Sequence, residues 1–136
     1  MKDDQYFLKR AVEVGNRVAK PYNFGAVVVK DGKIIAEGVN RVRVTHNPTL
    51  HAEISAMMEA CEKFETHNLN DCTLYASHEP CLMCVNCAAW THIERIVYAS
   101  PARESTDFVY HSEDLPIEEF AAKLPRPLKV ELIRLK

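Results

Sequence analysis

The chain has 136 residues, 47% of them hydrophobic, and its 17 Lys and Arg stand against 19 Asp and Glu for a formal charge of −2 at pH 7. That length supports one hydrophobic core and not two, so residues 1–136 read as a single domain. Scattered Lys and Arg argue against nucleic acid as a partner; no apolar run is long enough to cross a bilayer, and the charged Met1-Lys2-Asp3-Asp4 start leads into no signal-peptide core, so the expected compartment is the cytoplasm.

From Asp4 to Lys20, Phe7, Leu8, Ala11, Val14 and Val18 recur at helical spacing, which predicts a helix ended by Pro21. Phe24 to Lys30 is rich in valine, Asp31-Gly32 is a hairpin turn signal, and Lys33 to Val39 is a second apolar run. An antiparallel hairpin is expected. Asn40 to Thr49 is polar, carries Pro48, and reads as a loop into a helix that starts near Leu50 or His51 and ends about Phe64. Cys72 to Ala76 reads as a strand, Ser77 to Pro80 as a loop, and Cys81 to about Thr91 as a helix. Arg95 to Ala99 is a strand, Pro116 to Leu124 a short helix, and Leu128 to Leu135 a closing strand. Alternating helical and extended periods predict an α/β fold.

Five cysteines in a reducing compartment point to metal or redox chemistry rather than to a disulfide framework. Three short stretches fit one metal site: His51-Ala52-Glu53, Pro80-Cys81, and Cys84 three residues after Cys81. They supply one imidazole and two thiolates, a donor set that suits zinc, and they leave a position open. Glu53 is then a carboxylate to spare, placed to carry protons. Both ligand pairs fall at expected helix N-termini, where unpaired amides favour thiolate over thiol. Two other readings stay open at this point. A C-x-x-C pair is also the pattern of thioredoxin-like redox sites, although Pro80 and the upstream His51-Ala52-Glu53 weigh against it. Cys87 would close a structural four-ligand site, but its neighbours Ala88 and Ala89 suit a buried core thiol better, as the inner faces of a helix and a strand suit Cys61 and Cys72.

With H-x-E and P-C-x-x-C in place, the chain resembles the cytidine deaminase-like superfamily over about residues 5–110, specifically its CMP/dCMP-type deaminase branch. The resemblance implies a three-layer sandwich with a five-stranded mixed sheet flanked by helices, one zinc per subunit, and a homodimer. It also implies His51, Cys81 and Cys84 as ligands and Glu53 as proton shuttle. Phe24-Gly25-Ala26-Val27-Val28-Val29-Lys30-Asp31-Gly32, followed by Gly38-Val39-Asn40, looks most like the bacterial guanine deaminases of the superfamily. In those enzymes the positions matching Phe24 and Trp90 pack against the purine and the one matching Asn40 hydrogen-bonds its edge. Bacterial tRNA adenosine deaminases usually carry a small aliphatic residue and a histidine at the two aromatic positions. The expected partner is therefore a small nucleobase or nucleoside, guanine-like first, with cytosine, isocytosine or cytidine next. Deamination of a tRNA adenosine, or a zinc-bearing module that binds a nucleobase without turnover, are the rival readings. Three features depart from the guanine deaminase pattern. The chain ends at Lys136 without the longer tail of those enzymes, Asp107 directly precedes Phe108-Val109-Tyr110, and His78 precedes Glu79-Pro80-Cys81.

Overall fold

The turn at Asp31 and Gly32 starts the sheet, both residues having the positive φ, 52° and 73°, that a tight two-residue hairpin turn requires. It joins β1 (Gly25–Lys30) to β2 (Lys33–Val39). The computed structural model describes residues 2–104 and 115–136, so Asp107 and the Phe108-Val109-Tyr110 segment lie outside the described residues. After β2 come α2 (Val42–Thr45), α3 (Ala52–Lys63), β3 (Cys72–His78), α4 (Leu82–Trp90), β4 (Arg95–Ser100), α5 (Ile117–Ala122) and β5 (Lys129–Leu132), all preceded by α1 (Asp4–Gly15). The strands form one sheet in the order β2-β1-β3-β4-β5. β1 runs antiparallel to β2 and β3, while β3, β4 and β5 are parallel. This is the mixed five-stranded α/β fold the resemblance implies.

Strand alternation divides the core into two. Ala26, Val28, Leu74, Ala76, Ile96, Tyr98 and Val130 face α3, α4 and α5, whereas Val27, Val29, Tyr75, Val97 and Ala99 face Phe7, Leu8 and Val14 of α1. Helices therefore cover both faces and β1 is buried along its length except at Lys30, which is why it reads as an uninterrupted valine run.

Several predicted boundaries move, two of them for contacts that local pattern does not contain. Helix α1 ends at Gly15 rather than Lys20, because its last turn lies directly on the start of β1. A Cβ on Gly25 would stand 2.1 Å from the Ala11 carbonyl oxygen and 2.3 Å from the Gly15 nitrogen, so backbone meets backbone there. Strand β3 runs on to His78 instead of stopping at Ala76, since His78 still pairs with Ser100 and the buried Ser77 hydroxyl accepts the Gly25 amide at 2.9 Å. Polar residues that looked like loop are thus tied into the sheet. The Asn40–Thr49 stretch contains the short helix α2, and the Asn40 side chain in the turn before it accepts the Val42 amide at 3.1 Å. Strand β5 closes at Leu132, although Ile133 still donates to the Tyr98 carbonyl at 2.9 Å.

One charged cluster fastens α1 to the sheet. Arg95 of β4 makes a two-pronged contact with Asp4 at 2.7 and 3.0 Å and reaches Glu131 of β5 at 3.4 Å, while the Tyr75 hydroxyl donates to Asp4 at 2.6 Å. The Arg95 guanidinium holds the Asp4 carboxyl below its ordinary value. A depressed folded-state pKa contributes stability above the unfolded value of about 3.9, and that contribution disappears as pH falls through the folded pKa. Asp4→Asn is expected to lower the unfolding free energy by about 1–2 kcal/mol at pH 7, with the gap to the parent closing below about pH 3.9. Urea unfolding of both proteins from pH 7 downward measures it; a gap independent of pH would disprove the ionic origin.

Candidate active site

Two helices begin beside each other at one end of the sheet, and the residue before each is extended. His51 precedes α3 with φ −63° and ψ 163°, and Cys81 precedes α4 with φ −78° and ψ 171°. The bend at His51 explains how a pair two residues apart serves one place: the imidazole leaves from outside the helix, and Glu53 leaves from its first turn. Cys84 is the third residue of α4 and wholly buried. Gly38 of β2 allows the first turn of α3 to lie this close to the sheet, since a Cβ there would meet the Ala52 carbonyl oxygen at 2.3 Å and the Ala56 nitrogen at 2.4 Å.

The three donor atoms form an equilateral triangle: His51 Nδ1 to Cys81 Sγ, His51 Nδ1 to Cys84 Sγ, and Cys81 Sγ to Cys84 Sγ are each 3.6 Å. Tetrahedral zinc with Zn–S of about 2.3 Å and Zn–N of about 2.0–2.1 Å spaces sulfur from sulfur by about 3.8 Å and sulfur from nitrogen by about 3.6 Å. The triangle fits that ion, and its soft donors select for it. Cys87 is not part of the triangle, so no fourth cysteine closes the site among the described residues. It is half-buried, as is Cys61, while Cys72 is buried; burial pushes all three thiols up.

The two sulfurs of the site differ. A hydrogen bond from Cys84, with help from His51, brings the Cys81 thiol down to about 4, whereas the neighbouring Cys81 sulfur and burial push Cys84 well above the ordinary range. Glu53 is 6% exposed, and burial pushes its carboxyl up to about 7.

The site forms the floor of a cleft of about 620 Å³. Phe24 and Asn40 line it with His51, Glu53 and Cys81, as do Tyr22, Val42, Pro48, Leu82, Met83 and Ala102. Phe24 stands edge-on to His78 with ring centroids 4.7 Å apart, and His78 Nδ1 lies 2.7 Å from the Ser77 hydroxyl. Glu79 accepts the Ala102 amide at 3.1 Å, which pins the segment after β4 to the rim. The Asn40 side-chain oxygen accepts the Val42 amide, which fixes the side chain at the cleft wall and, among the described residues, leaves its NH2 group and one oxygen lone pair for a further partner. Six of the seven expected site residues therefore converge: Phe24, Asn40, His51, Glu53, Cys81 and Cys84. Trp90 does not. It is the last residue of α4, 77% exposed, and lines no part of the cleft in its own chain. Tyr22, two residues before Phe24, was missed, and that spacing was the available signal.

The zinc-binding region of cytidine and deoxycytidylate deaminases matches residues 1–100. Guanine deaminase of Bacillus subtilis (strain 168) is 41% identical over 122 residues, covering 83% of this chain and 78% of that protein. A tRNA-specific adenosine deaminase of Aquifex aeolicus (strain VF5) is 37% identical over 98 residues, covering 71% of this chain and 65% of the relative. The X-ray structure of the Bacillus subtilis guanine deaminase superposes with a TM-score of 0.73 at 39% identity, over 87% of this chain and 81% of that one.

Cys84→Ala removes one corner of the triangle, and purified protein is expected to fall from about one zinc per chain to almost none. Elemental analysis checks this. Full zinc in a folded Cys84→Ala protein would exclude Cys84 from the ligands.

Proposed function

The chain belongs to the cytidine and deoxycytidylate deaminase family, a zinc-dependent hydrolytic deaminase, and we propose that it acts on a free nucleobase or nucleoside, guanine or a guanine-like aminated ring first. The observation that carries the proposal is the buried carboxylate of Glu53 beside the nitrogen and two sulfurs, on the floor of a cleft walled by rings and aliphatic side chains. His51, Cys81 and Cys84 would hold the zinc. Zinc with three protein ligands lowers the pKa of water from about 15.7 towards about 7, supplying a nucleophile at neutral pH.

Hydrolysis joins the water oxygen to the ring carbon that carries the amine and breaks the carbon–nitrogen bond, leaving a carbonyl and ammonia. Two protons must travel. Glu53 takes the first from water and gives it to a ring nitrogen, then delivers the second to the departing amine. Phe24 lies against the flat ring, and Asn40 reads its edge with its side-chain amide. A base rather than an RNA strand is favoured by the lining, which has two carboxylates, Glu53 and Glu79, and neither lysine nor arginine among the described residues.

A homodimer in the cytoplasm completes the proposal. Met83, Cys87 and Trp90 recur at three- and four-residue spacing along the outer side of α4, 37% and 77% exposed at Met83 and Trp90. Met58 of α3 is 44% exposed as well. Trp90 with Met83 on one side of α4 offers the kind of aromatic and methionine anchor that interfaces are enriched in, and the proposed partner is a second copy of the chain. Trp90→Glu is expected to halve the mass seen by sedimentation; a monomeric parent, or a dimer in both proteins, would refute this interface.

The substrate is tested by ammonia release from guanine, guanosine, cytosine, isocytosine, cytidine, adenine and a tRNA anticodon stem-loop. Guanine is expected to turn over, and Glu53→Gln to lower kcat by about a hundred- to ten-thousand-fold with zinc retained. Turnover of the stem-loop alone would replace the substrate, while stoichiometric zinc without any turnover would leave a binding module.

A further inference from the structure

Phe24 covers one side of a flat heterocycle and Trp90 lines no part of the cleft in its own chain, so the second side is open to another ring of the lining. We propose that Tyr22 is that ring and that Arg43 positions it, a reading that rests on deamination of a nucleobase in this same cleft. Tyr22 and Phe24 both line the cleft and are separated only by Asn23. Their backbone is doubly fixed, for the Tyr22 amide donates to the Ala19 carbonyl at 3.0 Å and the Phe24 amide to the Tyr22 carbonyl at 2.9 Å. The Tyr22 ring carries the Arg43 guanidinium 4.7 Å from its centroid, within the range of a cation on an aromatic face. Arg43 has no carboxylate partner among the described residues, so the ring is its contact there.

Arg43 belongs to α2, the short helix whose first amide is taken by Asn40. The residue that reads the edge of the ring and the residue that holds its face are thus anchored to one four-residue element. A change in either contact is felt by both. The matching ligand is planar and uncharged, such as a purine or pyrimidine base with an exocyclic amine. A tyrosine fills the space with little conformational freedom to lose, as a long aliphatic side chain would not.

The test uses the base in the panel that shows Glu53-dependent ammonia release, on zinc-loaded protein. Tyr22→Leu is expected to raise KM by about three- to tenfold with kcat changed less than twofold, and Tyr22→Phe to restore the parent value. In a Glu53→Ala background, calorimetry is expected to give the same weakening of Kd for that base. Arg43→Gln raises KM in the same direction with kcat kept, and Arg43→Lys recovers part of it. If Tyr22→Leu does not fold, Tyr22→Met is measured in its place. KM and Kd within twofold of the parent in a folded, zinc-loaded Tyr22→Leu protein would overturn the assignment and leave the deaminase reading standing. Absence of turnover on every base would overturn both.

Discussion

The site depends on two helix N-termini meeting over the end of a sheet. Each brings unpaired amides and the positive end of a dipole, and the anionic groups the chemistry needs are what such ends stabilise. Burial pushes the Glu53 carboxyl up, and the hydrogen-bonded Cys81 sulfur together with burial pushes the Cys84 thiol up, so a space this crowded with potential anions gains from such ends. The same geometry leaves the residue before each helix extended, so that His51 and Cys81 reach the metal from outside their helices while Glu53 and Cys84 reach it from within.

The parallel arrangement of β3 and β4 is the topological condition for this meeting. Helix α4 leaves β3 and returns antiparallel to it, so its N-terminus sits at the strand's C-terminal end, where ligands collect in α/β sheets. Helix α3 is brought there differently. It follows the antiparallel hairpin, and the missing side chain at Gly38 lets its first turn close on β2. Two unrelated devices, a crossover and a close approach, deliver the two halves of one donor triangle. The α1 face of the sheet, held by Asp4, Arg95 and Glu131, backs the strands without touching the cleft.

Which parts were legible follows from how far their causes reach along the chain. The donor set was readable because a tetrahedral metal demands particular atoms, and H-x-E and P-C-x-x-C state those atoms locally. The valine run, the Asp31-Gly32 turn and the helical stripes were readable because periodicity records burial. The end of α1 was not, since it is decided by contact between Gly15 and Gly25 across ten residues. The end of β3 was hidden by the polarity of Ser77 and His78, whose partners lie on β1 and β4. Trp90 was expected at the cleft from its match to a guanine deaminase position, and within its own chain it lines no part of it. Eight residues beyond Leu82, it stands about 12 Å along the helix axis from the end that carries the metal ligands.

The cleft itself narrows the choice among aminated rings. It is lined by Glu53 and Cys81 together with Tyr22, Phe24, Val42, Pro48, Leu82 and Met83. A substrate with phosphate would bring negative charge into a space already bordered by Glu53 and Glu79, with no lysine or arginine among the described lining residues to neutralise it. An uncharged base incurs no such repulsion, and under the proposed reading its faces gain apolar contact while its edge lies toward polar lining groups, among them Asn40, His78 and Glu53. Discrimination between guanine and a pyrimidine then falls to those edge contacts. A buried donor or acceptor left without its partner costs more than the contact of the rings differs between two bases, so the edge decides which ring is taken and the walls decide only that it is flat.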